Sequence, residues 1–240
     1  KIRIINIKMH FYSNTKINNK IILDKEEMHH CINVLRKKNG DFIKVVDGEG
    51  GAYVCEIISI ESDNCEIKII EQLETLINRK NKIHLIIAPT KSHKRLEWMI
   101  EKVVEIGLEK ISFIITHNTI RKKINLLRLQ KIALSAMKQN LNTILPRIED
   151  CKPYTEVVDS VESQDRYIAH LQNSSRSYLV DKLITNRSRC ILIGPEGDFT
   201  DDEINYANKS NFQCVSLGSL RLRTETSAMV STTLLNIGND

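Results

Sequence analysis

The sequence predicts an α/β protein in which a small β-barrel or sandwich precedes a larger domain built on a parallel sheet. Three observations lead there. Between Lys20 and Glu71 the chain runs in short alternating or β-branched stretches ("KIILD", "DFIKVVDG", "GAYVCEIISI", "NCEIKII") separated by the turn signals "KNGD", "DGEGG" and "ESDN". From Ile83 onward, apolar strands alternate with helical patterns, which is the signature of a buried parallel sheet. Two glycine-containing loops then close consecutive strands late in the chain, at "LIGPEGDFTDDEI" and "VSLGSLRLRTETSAM". A length of 240 residues suffices for one large or two modest domains with a substantial core.

The elements follow in order. "KEEMHHCINVLR", residues 25–36, supplies a helical turn inside the β-rich region, and "QLETLINRKNK", residues 72–82, reads as a linker. Residues 83–89 form a buried-type strand. Residues 94–107 form a helix, with Leu96, Met99, Ile100, Val103 and Ile106 at helical spacing and Gly107 as the stop. Strands are predicted over 110–117, 166–171, 189–194 and 212–218, and helices over 125–139, 201–210 and 224–237. Glu97, Glu101, Lys102 and Glu105 suit pairing along a helix surface.

Composition narrows the function classes. No run of about 18 apolar residues exists to span a membrane. The first 20 residues lack the apolar core of a signal peptide. Met9 reads as the natural start, with no role for residues 1–8. The six cysteines form no C-x-x-C pair and sit mostly in apolar runs, as small buried hydrophobes of a reducing cytosol. The seven histidines show no metal-ligand spacing, so no metal is expected. Charge is uneven: residues 79–147 carry 15 Lys/Arg against four Asp/Glu, whereas residues 148–240 carry nine against 14. The basic third, with clusters at 91–95, 121–123 and 128–131, suggests a phosphate-rich partner, against the alternative of a solvated lysine-rich face.

The two loops carry the chemistry. "RCILIGPEGDFTDDEI" reads as strand, glycine-rich loop and helix, with Thr200 and Glu203 as a capping box and Asp201 and Asp202 at the positive helix end. Ligands of α/β sheets bind on such loops at carboxyl strand ends. This one lacks the phosphate-cradle spacings and carries Glu196 and Asp198, so it suits a ligand with a positive centre or one read by backbone groups. In the second loop Arg221 and Arg223 precede a helix that Thr224 is expected to cap, with Glu225 in its first turn. Turn geometry alone for Gly194, Gly197 and Gly218, and a helix-end ion pair for Arg223 and Glu225, are the plain alternatives.

Taken together, "LIGPEG-x-F-[ST]-x-x-E", the following "LG-x-x-x-LRTET-[AS]", "HHCINVLRKKNGD" and "APTKSHKRLEWMIEKVVEIG" resemble the 16S rRNA (uracil-N3)-methyltransferase family of the SPOUT class, over nearly the whole chain. The resemblance implies a PUA-like, RNA-binding β-barrel over 9–72 and a SPOUT-type α/β methyltransferase domain with a C-terminal trefoil knot over 73–240. It implies S-adenosyl-L-methionine as methyl donor without a metal. It also implies 16S ribosomal RNA in the small subunit as substrate, a homodimer, a cytoplasmic location and no membrane. Leu192, Ile193, Gly194, Glu196, Gly197, Leu217, Gly218, Leu222, Arg223 and Thr224 are the implied cofactor-binding residues. Three positions depart from the family pattern: Asp198 replaces its second glycine, Asn142 stands where many members carry arginine, and Arg221 falls one place after the usual first arginine.

Roles follow from the chemistry. Uracil N3 carries a proton and is a poor nucleophile, so transfer needs the proton removed or the developing ring charge stabilised. Arg223 is assigned the charge and Glu225 the proton, as the catalytic pair. Glu196 complements a sulfonium, and His170 is a candidate for the methionine end of the cofactor. Arg36, Lys91, Arg95, Arg121 and Lys122, with Lys94 and Lys123, are RNA-phosphate contacts. Two other readings stay open: a SPOUT enzyme acting on another RNA position such as a ribose 2′-hydroxyl, and a non-catalytic RNA-binding or ribosome-assembly factor.

Overall fold

A computed structural model describes residues 10–17, 19–62, 64–73, 81–171 and 177–237. Residues 1–9, 18, 63, 74–80 (most of the expected linker), 172–176 and 238–240 lie outside the described residues. The chain divides into two compact units, Lys1–Asn78 with Met137–Leu145, and Arg79–Ala136 with Pro146–Asp240.

The first unit is β-rich. Its strands are β1 (His10–Tyr12), β2 (Lys16–Ile17), β3 (Lys20–Leu23), β4 (Phe42–Val46), β5 (Ala52–Ile60) and β6 (Cys65–Leu73), in the order β1-β4-β5-β6-β3-β2. Alternation along β6 sends Cys65, Ile67 and Ile69 inward, where they meet Phe11, Ile21, Leu23, Ile43 and Val45 from strands at both ends of that order. The helical turn forms as α1 (Lys25–His29), capped by Asp24, and continues as one π-helical stretch, His30–Val34. Met137–Leu145 belongs here: Lys138 pairs with buried Glu27, and the Leu145 amide donates to the Gly48 carbonyl at 2.8 Å. Asn142 is buried, and its carboxamide oxygen accepts the amides of Thr143 and Ile144.

The second unit is a seven-stranded parallel sheet among the described residues. Its elements are β7 (Ile83–Ile87), α2 (His93–Ile106), β8 (Lys110–Ile115), α3 (Leu126–Gln139, of which the residues up to Ala136 belong to this unit), β9 (Arg147–Pro153), α4 (Tyr154–Asp159), β10 (Asp165–Ala169), β11 (Ser177–Tyr178), β12 (Arg189–Ile193), α5 (Asp201–Lys209), β13 (Gln213–Ser216) and α6 (Thr224–Asn236). The order is β11-β13-β10-β12-β7-β8-β9, every pair parallel. Ile86, Ile114, Ile168 and Leu192 pack against residues of α4 and α5. Alternation leaves the buried Leu85, Ile87, Ile191 and Ile193 to the side where α6 packs on β7, β12 and α2.

The strands and helices expected in this unit form within two residues of their predicted limits. Gly107 ends α2 at φ 103°, its amide donating to Val103. The elements that hydrophobic pattern missed are β9, α4 and β11. β9 reads "RIEDCKP", with only Ile148 fully buried: an edge strand kept charged and ended by proline. Glu97 pairs with Arg128 of α3 rather than along its own helix, whereas Lys102 does pair with Glu101 and Glu105.

Two buried polar groups tie this unit together. Arg189, fully buried at the start of β12, donates to the carbonyls of Ile184, Leu235 and Ile237, and so caps the negative end of α6. His84 Nε2 lies 2.8 Å from Ser112 Oγ, which donates to Glu149 across β7, β8 and β9.

Arg189→Met removes three charge-assisted hydrogen bonds and orphans buried carbonyls. It is expected to cost on the order of 3 kcal/mol, read as a lower denaturation midpoint; an unchanged midpoint would contradict the clamp. Burial pushes the His84 imidazole down from 6.5 to about 3. Its folded value lies below its unfolded one, so the unfolded chain takes up the proton first. His84 therefore leaves stability untouched above pH 6.5 and drains it as pH falls from 6.5 to about 3. His84→Gln should flatten the loss of melting temperature over that window, and parallel curves for the two proteins would exclude the effect.

Candidate functional site

The carboxyl ends of β10, β12 and β13 open into a cavity of about 580 Å³. Such a volume falls within the roughly 300–1,000 Å³ of small-molecule sites. Its walls are the chain following each strand. Residues 169–171 end and follow β10, residues 193–196 and Asp198 end and follow β12, and residues 215–224 end and follow β13.

The β12 loop is a turn held by side chains from outside it. The Asp198 amide donates to Pro195 at 2.9 Å, and Asp198 itself takes φ 62°. Aspartate is one of the few residues with a side chain that visit this left-handed region readily. Its carboxylate accepts the Leu171 amide at 2.7 Å and the Phe199 amide at 2.9 Å. It thereby joins the β10 wall to the β12 loop. Asn118 donates to the carbonyls of Gly197 and Asp198, both at 3.0 Å, and a Cβ at Gly197 would stand 3.0 Å from Asn118 Cβ. Glu196 accepts the Lys91 amide at 3.1 Å, while its own carbonyl accepts Arg221 at 3.2 Å. The loop then enters α5 through the expected capping box of Thr200 and Glu203. The remaining Glu203 oxygen accepts the His117 amide.

The β13 loop differs from expectation at its helix. Thr224 is the first residue of α6 rather than its cap. The cap position is Arg223, which makes no side-chain cap bond. The buried Thr224 hydroxyl donates to the Gly194 carbonyl at 3.2 Å, locking the second loop against the first. Standing one place inside the helix, Thr224 is not at the cap position, and its hydroxyl proton goes to closing the two loops. Gly218 stands at φ 147°, a backbone region that side chains disfavour.

The expected cofactor-binding residues fall in three places. Ile193, Gly194, Glu196, Leu217, Gly218, Leu222, Arg223 and Thr224 line the cavity. Leu192 is fully buried in the core beneath, and Gly197 packs on Asn118. His170 is buried and also lines the cavity. Glu225 faces a second, more open groove of about 410 Å³ lined by Lys94, Arg95, Trp98, Arg223 and Thr226, so Arg223 borders both spaces. Glu225 pairs with Arg95, at 3.6 Å, and not with Arg223 as the plain alternative of a helix-end ion pair would have it.

The expected phosphate contacts also separate. Arg36 is exposed at φ 54° in the first unit, and Lys91 and Lys122 are exposed in the second. The Arg121 guanidinium is turned inward, donating to the carbonyls of Thr90 and Lys91 and lying against His93. It braces the segment before α2 and has little left to offer a phosphate. Sequence reasoning passed over Asn118, the Asp198 anchor and Trp98, because none sits in a periodic or motif-like setting. Among the described residues no group of three or more His, Cys, Asp or Glu is arranged to hold a metal ion, and no helix is long and apolar enough to cross a membrane.

A family model described as an RNA methyltransferase domain matches residues 78–236, and one described as an RNA methyltransferase PUA domain matches residues 23–70. The chain is 29% identical over 218 residues to ribosomal RNA small subunit methyltransferase E of Bacillus subtilis, covering 85% of this chain and 84% of that protein. It is similar to the crystal structure of a probable rRNA-methyltransferase from Porphyromonas gingivalis, with a TM-score of 0.88, 35% identity, and 96% and 98% of the two chains covered. The ribosomal RNA small subunit methyltransferase E of Neisseria gonorrhoeae, solved bound to S-adenosyl methionine, matches with a TM-score of 0.83 and 25% identity over 95% and 97% of the chains.

Asp198→Gly keeps the left-handed backbone but deletes both acceptors. Amide exchange at Leu171 and Phe199 is expected to rise about tenfold, the equivalent of one net hydrogen bond of about 1.4 kcal/mol. Unaltered exchange at Leu171 would show that the carboxylate does not anchor that wall.

Proposed function

The chain belongs to the RNA methyltransferase family, whose model spans residues 78–236, and from that membership we propose that it methylates N3 of a specific uridine in 16S rRNA. S-adenosyl-L-methionine is the methyl donor in this reading. The observation that carries it is the arrangement of Arg223, which borders both the enclosed cavity and the open groove holding Glu225. A methyl transfer needs such a boundary, with donor on one side and acceptor on the other.

The cavity suits the donor. It offers backbone groups of 193–194 and 217–218 for an adenine and the Glu196 carboxylate for a positive centre. When bound, the donor supplies an electrophilic methyl group on a sulfonium. The residues of this chain do the rest. The loops, locked by the Thr224–Gly194 bond, hold the reacting groups in line, which is worth much of the rate. Arg223 stabilises negative charge developing on the uracil oxygens. Glu225, on the groove side, accepts the N3 proton, and Arg95 beside it keeps the carboxylate oriented.

In this reading the β-rich unit of residues 9–72 is a PUA-like RNA-binding domain, and residues 73–240 form a SPOUT domain with the cofactor loops in a C-terminal knot. The protein works as a cytoplasmic homodimer on the small ribosomal subunit. Arg36, Lys91 and Lys122 contact phosphates, and their deletion should weaken RNA binding uniformly across sequences.

Two measurements test the reading. Calorimetric titration of S-adenosylmethionine should show binding in the micromolar range, lost in Gly197→Trp, whose side chain has Asn118 in its way. A folded wild type that binds none would leave an RNA-binding factor. Mass spectrometry of nucleosides from treated small subunits should show 3-methyluridine, and a 2′-O-methylated nucleoside would replace the base reading with a ribose one. Arg223→Ala is expected to lower kcat by roughly 10²–10³-fold, as loss of a charge-stabilising donor does.

A further inference from the structure

The groove beside the cavity carries features that methyl-donor binding does not use. Its walls are the opening turns of two helices, Lys94 and Arg95 from the first turn and Trp98 from the second turn of α2, and Glu225 and Thr226 from the first turn of α6, with Arg223 between them. Neither helix has a side-chain cap, in contrast to α1 and α5, which are capped by Asp24 and Thr200. Two positive helix ends therefore converge where three cations already stand. The groove's carboxylate, Glu225, is engaged by Arg95. Trp98 is 44% exposed, an unusual state for so large an apolar side chain on an amphipathic helix whose buried face is formed by Leu96, Met99, Ile100 and Val103.

Resting on the methyltransferase reading above, we propose that this groove seats one unpaired nucleotide of the RNA substrate. Its base stacks on the Trp98 indole, and its backbone phosphate lies at Lys94 and Arg95. A base must leave its stack to reach an enclosed methyl donor, and extruded bases are held by an aromatic platform flanked by cations. Trp98 supplies the platform, and Arg223 at the shared boundary puts the base next to the cavity. Charge favours RNA over a second copy of this chain as occupant. Three cations stand there against one carboxylate, an excess that complements a polyanion.

Trp98 is the one tryptophan of the sequence, so its fluorescence reports on the groove alone. The full-length protein is titrated with a short unstructured uridine-containing RNA, without cofactor, following both Trp98 emission and the anisotropy of a labelled copy. Saturable quenching that tracks the anisotropy is expected. Affinity should fall about tenfold in Trp98→Ala and hold within about twofold in Trp98→Phe, as stacking contributions of about 1–3 kcal/mol per base imply. Lys94→Ala should weaken binding and reduce the salt slope by about one. RNA that binds without changing Trp98 emission overturns the proposal, as does RNA that does not bind at all. A Trp98→Ala protein that sediments as a smaller species than wild type yet keeps full RNA affinity assigns the groove to a protein interface and also overturns it. Quenching by RNA in a protein that binds no S-adenosylmethionine would uphold the nucleotide site while the enzymatic reading fails.

Discussion

The second unit depends on a helix fastened to one strand at both ends. Arg189, the first residue of β12, holds the carbonyls at the end of α6, and Gly194, just past the last residue of β12, accepts the hydroxyl that opens α6. The fit is metric. Five strand residues from Arg189 to Gly194 advance about 17 Å at about 3.3 Å each, and eleven helical residues from Thr224 to Leu235 advance about 17 Å at about 1.5 Å each. Strand and helix are thus matched rods running in opposite directions. Burying a guanidinium is costly by itself, and three carbonyl acceptors make the cost tolerable here. Asn236 adds a further tie, donating to the Gly107 carbonyl at the end of α2.

The cavity is a consequence of that fastening. Once α6 is fixed, the 217–223 loop must cross the carboxyl end of β12. Polar side chains then act as braces between walls: Asp198 from the β12 loop to β10, Asn118 from the β8 end to the β12 loop, and Arg121 onto the segment before α2. Each spends its hydrogen bonds on backbone groups, so the walls are positioned before any ligand arrives. Preorganisation of this kind is what group transfer between two bound molecules requires.

Much of this was legible in the sequence, because strand and helix periodicities are strong where both faces are buried. Runs such as "IHLII" and "RCILI" could only be central strands, and Gly107, Thr200 and Glu203 punctuated the helices as their chemistry dictates. The loops were found from their glycines and their place after strands. What escaped detection involves partners distant in sequence. Thr224 looks like a helix cap, but it is the first residue of α6, and the acceptor of its hydroxyl, Gly194, lies 30 residues earlier. Asp198 looks like a departure from a glycine pattern until its φ of 62° and its grip on Leu171 are seen. Arg121 looks like an RNA contact until its donors are traced to Thr90 and Lys91. β9 was invisible because an edge strand buries too little to show a period.

The doubly fastened helix also sets when in its own synthesis the protein becomes competent. β7 to β10 and β12 can pair as they emerge, but β11 waits for β13, and the roof of the cavity and both fastenings arrive with residues 217–237. These contacts join segments 30 to 48 residues apart, so they close late. A chain interrupted before Thr224 would present its strands with no enclosed space for a ligand. A molecule that fits the cavity can therefore recognise only finished copies, and by mass action it shifts the population toward them.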